Sequence, residues 1–175
     1  LVAPGVYAGT GNKDLVISYE ELTIMSESGA YYTIIDCEGS GRGFDLVGSP
    51  DQQPLIQGFL IENGMPGNAG GAIQVFGCSP TILGCVFRDN NANYGGVAYL
   101  NGNESMRKES PTVSFLNCTF AGNTANTCCS VIYAQNNEVL VVLENCIICN
   151  NDHPGGGAVI HNTDGTPELS CCNIF

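Results

Sequence analysis

Cations are scarce in this chain. Lys and Arg together number 5 among 175 residues, against 17 Asp and Glu, and the formal net charge is -12. Nucleic-acid binding needs clustered cations to neutralise phosphates, so that class of partner is excluded. Polyanionic sugars such as pectate would also be repelled unless a divalent cation bridged them. No apolar run approaches the roughly 18–20 residues of a membrane span, so no membrane insertion is expected of this segment. No leader pattern opens the sequence. It begins Leu1-Val2-Ala3-Pro4-Gly5 and stops at Phe175 inside a repeat, and is read as a piece of a longer chain. Histidine is scarce as well: His153 and His161 are the only two. Each reads as a turn residue rather than a general base.

Glycine and cysteine are plentiful, at 23 and 10 residues. Gly in a helix interior costs about 1 kcal/mol relative to Ala, so this composition disfavours helices. The Val, Ile and Leu residues fall in short runs bounded by Gly, Asn and Pro, as strands and turns do. Ten Cys is many for a cytosolic protein and points to an extracellular setting.

The cysteines recur in a motif. Gly84-Cys85-Val86-Phe87, Asn117-Cys118-Thr119-Phe120 and Asn145-Cys146-Ile147-Ile148 share one pattern, and Cys171-Cys172-Asn173-Ile174 is a looser copy. The Cys positions 85, 118, 146 and 172 lie 33, 28 and 26 residues apart. Intervals of that size mark stacked repeats. Two more markers keep the same order. Glycine pairs open the copies (Gly70-Gly71, Gly95-Gly96, Gly156-Gly157), with Cys128-Cys129-Ser130-Val131 in the equivalent place once. Ser79-Pro80-Thr81, Ser110-Pro111-Thr112 and Thr166-Pro167-Glu168 form the turns. Asn63, Asn90, Asn123 and Asn150 or Asn151 close the copies, where turns admit a left-handed backbone and amides that bond their own or the next coil's backbone.

Strands that recur at this interval cannot be hairpin neighbours; they are parallel neighbours, one coil above the next. The expected fold is all-β: a right-handed parallel β-helix of about six coils, each with three short strands. It forms one domain over 1–175, with opening coils over 1–52 and regular repeats over 53–175, interrupted by an insertion at 101–110. Alternation places like residues in two interior files. Phe59, Cys85, Cys118, Cys146 and Cys172 form one; Ile61, Phe87, Phe120 and Ile148, with Ile174, form the other.

These motifs resemble the right-handed parallel β-helix proteins of the pectin-lyase-like superfamily. The repeated Gly-Gly-Ala-Ile, Ser-Pro-Thr and Asn-Cys-Thr-Phe segments are closest in style to surface proteins of the polymorphic outer-membrane adhesin type. That resemblance implies a non-catalytic structural or adhesive segment of a larger surface or filament-forming protein. Its partners would be surface glycans or other domains and copies of the parent protein. The alternative is a polysaccharide lyase or hydrolase. The enzymes of the superfamily use an Arg base with calcium-holding carboxylates, or Asp-Asp, Gly-His-Gly and Arg-x-Lys motifs. The latter three are absent, and Arg42 near Asp36, Glu38 and Asp45 is the one acidic–basic cluster. No catalytic residue, cofactor or metal is expected, since no Cys pair has zinc-finger spacing with a matching His.

The insertion carries Arg107 and Lys108, which with Tyr94 and Tyr99 are the candidate binding residues. An exposed row of Tyr94, Tyr99 and Tyr133 would mark a carbohydrate-binding module. Asn103-Glu104-Ser105 is the glycosylation candidate. The thiols of the interior file read as small buried side chains. Cys78, Cys128, Cys129 and Cys149 lie off it and are the expected disulfide partners.

Overall fold

A computed structural model describes residues 1–102, 110–135 and 139–175. Asn103, Arg107 and Lys108 lie outside the described residues. Those described contain strands and turns and no helix. The chain winds through about six turns of a parallel solenoid walled by three parallel sheets.

The first sheet takes β1 (Gly5–Tyr7), β4 (Thr33–Asp36), β7 (Leu60–Glu62), β10 (Val86–Arg88), β14 (Thr119–Ala121), β18 (Ile147–Cys149) and β21 (Asn173–Ile174). The second takes β2 (Leu15–Ser18), β5 (Phe44–Val47), β8 (Ile73–Phe76), β12 (Ala98–Asn101), β16 (Ile132–Gln135) and β19 (Ile160–Asn162). The third takes β3 (Thr23–Met25), β6 (Leu55–Gln57), β9 (Thr81–Leu83), β13 (Thr112–Leu116), β17 (Leu140–Glu144) and β20 (Glu168–Ser170). Two coils add a strand at the corner between the first and second sheets: β11 (Asn91–Tyr94) beside β15 (Thr124–Cys128).

Register runs like over like through the interior. Ile35, Ile61, Phe87, Phe120, Ile148 and Ile174 pair coil to coil in one file. The Phe87 and Phe120 rings stack with centroids 5.2 Å apart. The neighbouring file is carried by bonds from the next coil: the N–H groups of Val86, Thr119, Ile147 and Asn173 donate to the carbonyls of Phe59, Cys85, Cys118 and Cys146. Phe59, Cys85, Cys118 and Cys146 are fully buried; Cys172, on the last coil, is half-buried. Each thiol of this file donates to the carbonyl two residues back, as Cys118 Sγ does to Leu116 at 3.4 Å. Burial pushes the Cys85 thiol up to about 11.

The Asn positions divide into two roles. Asn63 and Asn150 have left-handed backbones, at φ 56° and 54°. Asn90, Asn123 and Asn151 instead turn inward and form an amide column at the corner. Asn90 Nδ2 donates to Asn123 Oδ1 at 3.0 Å and Asn123 Nδ2 to Asn151 Oδ1 at 2.8 Å. The column also accepts backbone N–H groups, Gly64 to Asn90 and Asn90 to Asn123. Buried backbone donors are thereby satisfied where the chain turns and no sheet partner is at hand.

The glycine-pair register differs by one residue from the sequence alignment. Ile73, Ala98 and Ile132 are paired, so Cys129, not Cys128, stands over Gly95 and Gly70. All three are left-handed, at φ 63°, 59° and 62°. Ser130 stands over Gly96 and Gly71. A Cβ on Gly71 or Gly96 would strike the carbonyl of the coil above, whereas above Ser130 the chain at 154–158 is exposed.

Candidate functional site

Alternation in the second sheet turns Phe44, Leu46, Ile73, Val75, Ala98, Leu100, Ile132 and Ala134 inward, all buried. Their neighbours must face out. Pairing aligns these in two outer files. One runs Asp45, Gln74, Tyr99, Tyr133, His161; the other Val47, Phe76, Asn101, Gln135. Adjacent rungs are about 4.8 Å apart.

The upper half of this face is an aromatic stack. Tyr99 and Tyr133 lie 6.0 Å apart at 28°, and Tyr133 and His161 lie 5.6 Å apart at 12°. Phe76 meets Tyr99 edge-on at 6.0 Å. Tyr94 reaches in from the corner strand and packs 5.3 Å from Tyr133. Together with Asn68, Ala69, Gln74 and Gln135 the tyrosines and Phe76 line an open recess of about 400 Å³. None of these lining residues is charged. Gln135 Nε2 and Asn101 Nδ2 both donate to Tyr99 Oη, at 2.7 and 3.2 Å. With its oxygen so occupied, the Tyr99 hydroxyl has its own proton to offer outward. Partial burial, with Tyr99 and Tyr94 nearby, pushes the Tyr133 phenol up, so it stays a neutral donor.

Below the stack, Asp45 and Arg42 approach to 3.5 Å. Burial lowers the Arg42 guanidinium, with Asp45 opposing the shift. Burial raises the Asp45 carboxyl, and Arg42 opposes it. The acidic–basic cluster expected around Arg42 splits three ways. Arg42 takes Asp45, and its backbone N–H donates to Asp14 at 2.9 Å. Glu38 pairs with Lys13 at 3.3 Å. Asp36 accepts from Asn63 Nδ2 at 2.9 Å. No constellation of an Arg base with several free carboxylates forms among the described residues.

A second hollow of about 310 Å³ lies on the third sheet, lined by Pro50, Gln53, Ser79, Thr81, Ser110, Thr112 and Ser114. It offers hydroxyls but no aromatic ring, and so lacks the flat apolar surface that orients a ligand.

Tyr94 and Tyr99, singled out from the sequence, come together on one face with Tyr133. Gln74, Phe76 and Gln135 were not singled out, and His161, read as a turn residue, lies instead on strand β19. Their signal was present: each lies about one repeat from a member of the same file. Among the expected disulfide partners, Cys128 and Cys129 are bonded to each other. Cys78 is buried and unpaired and Cys149 is a free thiol. Each sits on a different sheet corner or strand with no cysteine opposite it off the interior file.

Comparison of the chain with protein families, with curated proteins and with solved structures finds no match.

Proposed function

We propose that this chain is a non-catalytic, extracellular segment of a larger surface or filament-forming protein. It serves as a stiff spacer whose second sheet grips neutral glycans. One observation carries the reading: Tyr99, Tyr133, Phe76 and His161 share the outer face of the second sheet, Tyr94 joins them from the corner strand, and the recess they border holds amide side chains and no charged residue. Flat rings accept the C–H faces of a sugar, and amide and phenol groups bond its hydroxyls. The parallel sheet fixes the rings in space, so little side-chain freedom remains to be lost on binding. The net charge of -12 favours neutral over acidic sugars.

Binding to an array of neutral and acidic glycans tests this. Neutral chains should bind, and Tyr99→Ala and Tyr133→Ala should each weaken binding about tenfold, or roughly 1.4 kcal/mol, with the circular dichroism spectrum unchanged. Equal binding by both variants, or binding to no neutral glycan, overturns it.

Asp45 favours a second reading, a polysaccharide lyase or hydrolase of the pectin-lyase-like superfamily. Its carboxyl is raised by burial and stands two rungs below Tyr99, beside Arg42. Release of new sugar ends that Asp45→Asn abolishes would establish that reading in place of the first.

A further inference from the structure

Cys128, Cys129 and His161 meet at the upper corner of the aromatic face. Their two sulfurs and one ring nitrogen all lie within 4.8 Å of one another. Three features of the fold bring this about. Cys128 ends the corner strand β15 and pairs with Tyr94. In an extended chain the next side chain would point to the opposite face, but Cys129 adopts φ 63° and breaks the alternation. His161 comes from the next coil, where stacking on Tyr133 holds its ring. Cys129 also occupies a position that the two preceding coils give to glycine, Gly70 and Gly95. A side chain in the left-handed region is disfavoured, and the architecture of the lower coils does not call for one. What the cysteine adds there is a sulfur.

We propose that these three residues form a binding site for a thiophilic closed-shell cation, zinc in the first instance, which opens when the Cys128–Cys129 disulfide is reduced. The reductant is a dithiol. It transfers two electrons, the S–S bond breaks, both cysteines leave as thiols and the dithiol closes to its own cyclic disulfide. Zinc then displaces one proton from each thiol and accepts the neutral imidazole of His161. Zn–S and Zn–N bonds of about 2.3 and 2.0–2.1 Å place tetrahedral ligand atoms roughly 3.4–3.8 Å apart. The three atoms already lie within reach of that spacing. Two thiolates and one imidazole leave the fourth position to water or to a group from the ligand on the adjacent aromatic face.

The experiment uses cobalt as the spectroscopic probe and zinc as competitor. Cys149→Ser, Cys171→Ser and Cys172→Ser first remove the more accessible free thiols. After reduction with a dithiol and its removal, this protein should bind one equivalent of Co²⁺, with thiolate charge-transfer absorption that Zn²⁺ abolishes. Before reduction it should bind none. Cys128→Ser and His161→Ala should each weaken binding at least tenfold. His161 lies on the outer face, so its removal leaves the interior intact, and it decides the matter should Cys128→Ser fail to fold. No metal taken up after reduction, equal affinity before reduction, or equal affinity in the His161→Ala protein overturns the proposal.

Discussion

Asn90 and Asn123 sit on successive coils, with Asn90 Nδ2 donating to Asn123 Oδ1 at 3.0 Å and both residues shut off from solvent. Asn123 also accepts the Asn90 backbone N–H and donates to the Phe87 carbonyl and to Asn151. Asn123→Ala would strand the buried Asn90 backbone N–H and remove one bond each from Asn90 Nδ2, which keeps the Ile61 carbonyl, and from Asn151 Oδ1, which keeps the Asn123 backbone N–H. Each unsatisfied group costs about 1–3 kcal/mol. The expected loss, read by urea denaturation, is about 2–3 kcal/mol. Asn126→Ala, at an exposed position of the following strand β15, should change stability by less than about 0.5 kcal/mol.

Phe120 stacks on Phe87 and meets Phe115 edge-on at 5.5 Å, with no exposure. Phe120→Ala should cost about 3–5 kcal/mol in the same measurement. Phe120→Leu should cost less than half as much, because most of the volume is kept.

Gly96→Ala would drive a Cβ into the Ser130 and Thr124 carbonyls. Backbone cannot swing aside as a side chain can, so the loss should be about 3 kcal/mol or more, seen as a fall in Tm. Gly5→Ala meets only the Tyr7 ring at ordinary contact distance, 3.6 Å and beyond, and should be near neutral.

Alkali should destabilise the fold. Burial holds Cys78 and Cys85 up at about 11 and Cys37 up at about 12, from an ordinary 9.0. Between these values the unfolded chain has released protons that the native state keeps, so stability is whole below pH 9 and falls as pH rises towards 11–12. At 1.36 kcal/mol per unit, Cys85 alone accounts for about 3 kcal/mol. Denaturant midpoints measured from pH 8 to 11 should fall, and the slope should be shallower in Cys85→Ala.

The solenoid was legible because its markers recur in step. Phe59, Cys85, Cys118 and Cys146 repeat the same burial demand at one winding each, and parallel pairing is the way to meet it. The corner was not legible. Gly95-Gly96 aligns in sequence with Cys128-Cys129, but the left-handed residue is Cys129, since β15 extends one residue further before the turn. The aromatic face was half legible. Alternation shows that Tyr99 and Leu100 face opposite ways but not which of them faces in, and Tyr94 belongs to a corner strand that a plan of three strands per coil does not contain. The disulfide expectation failed at Cys78 and Cys149 because lying off the interior file does not bring two thiols together.

Coil after coil presents nearly the same strand edges, so backbone pairing alone would accept a chain threaded one storey out of place. The file Ile35, Ile61, Phe87, Phe120, Ile148 is not uniform: its two aromatic members are adjacent and central. A miswound chain would part the two stacked rings and set each between isoleucines. The rings therefore number the floors, and a protein in which both became isoleucine would keep its core while losing its means of counting.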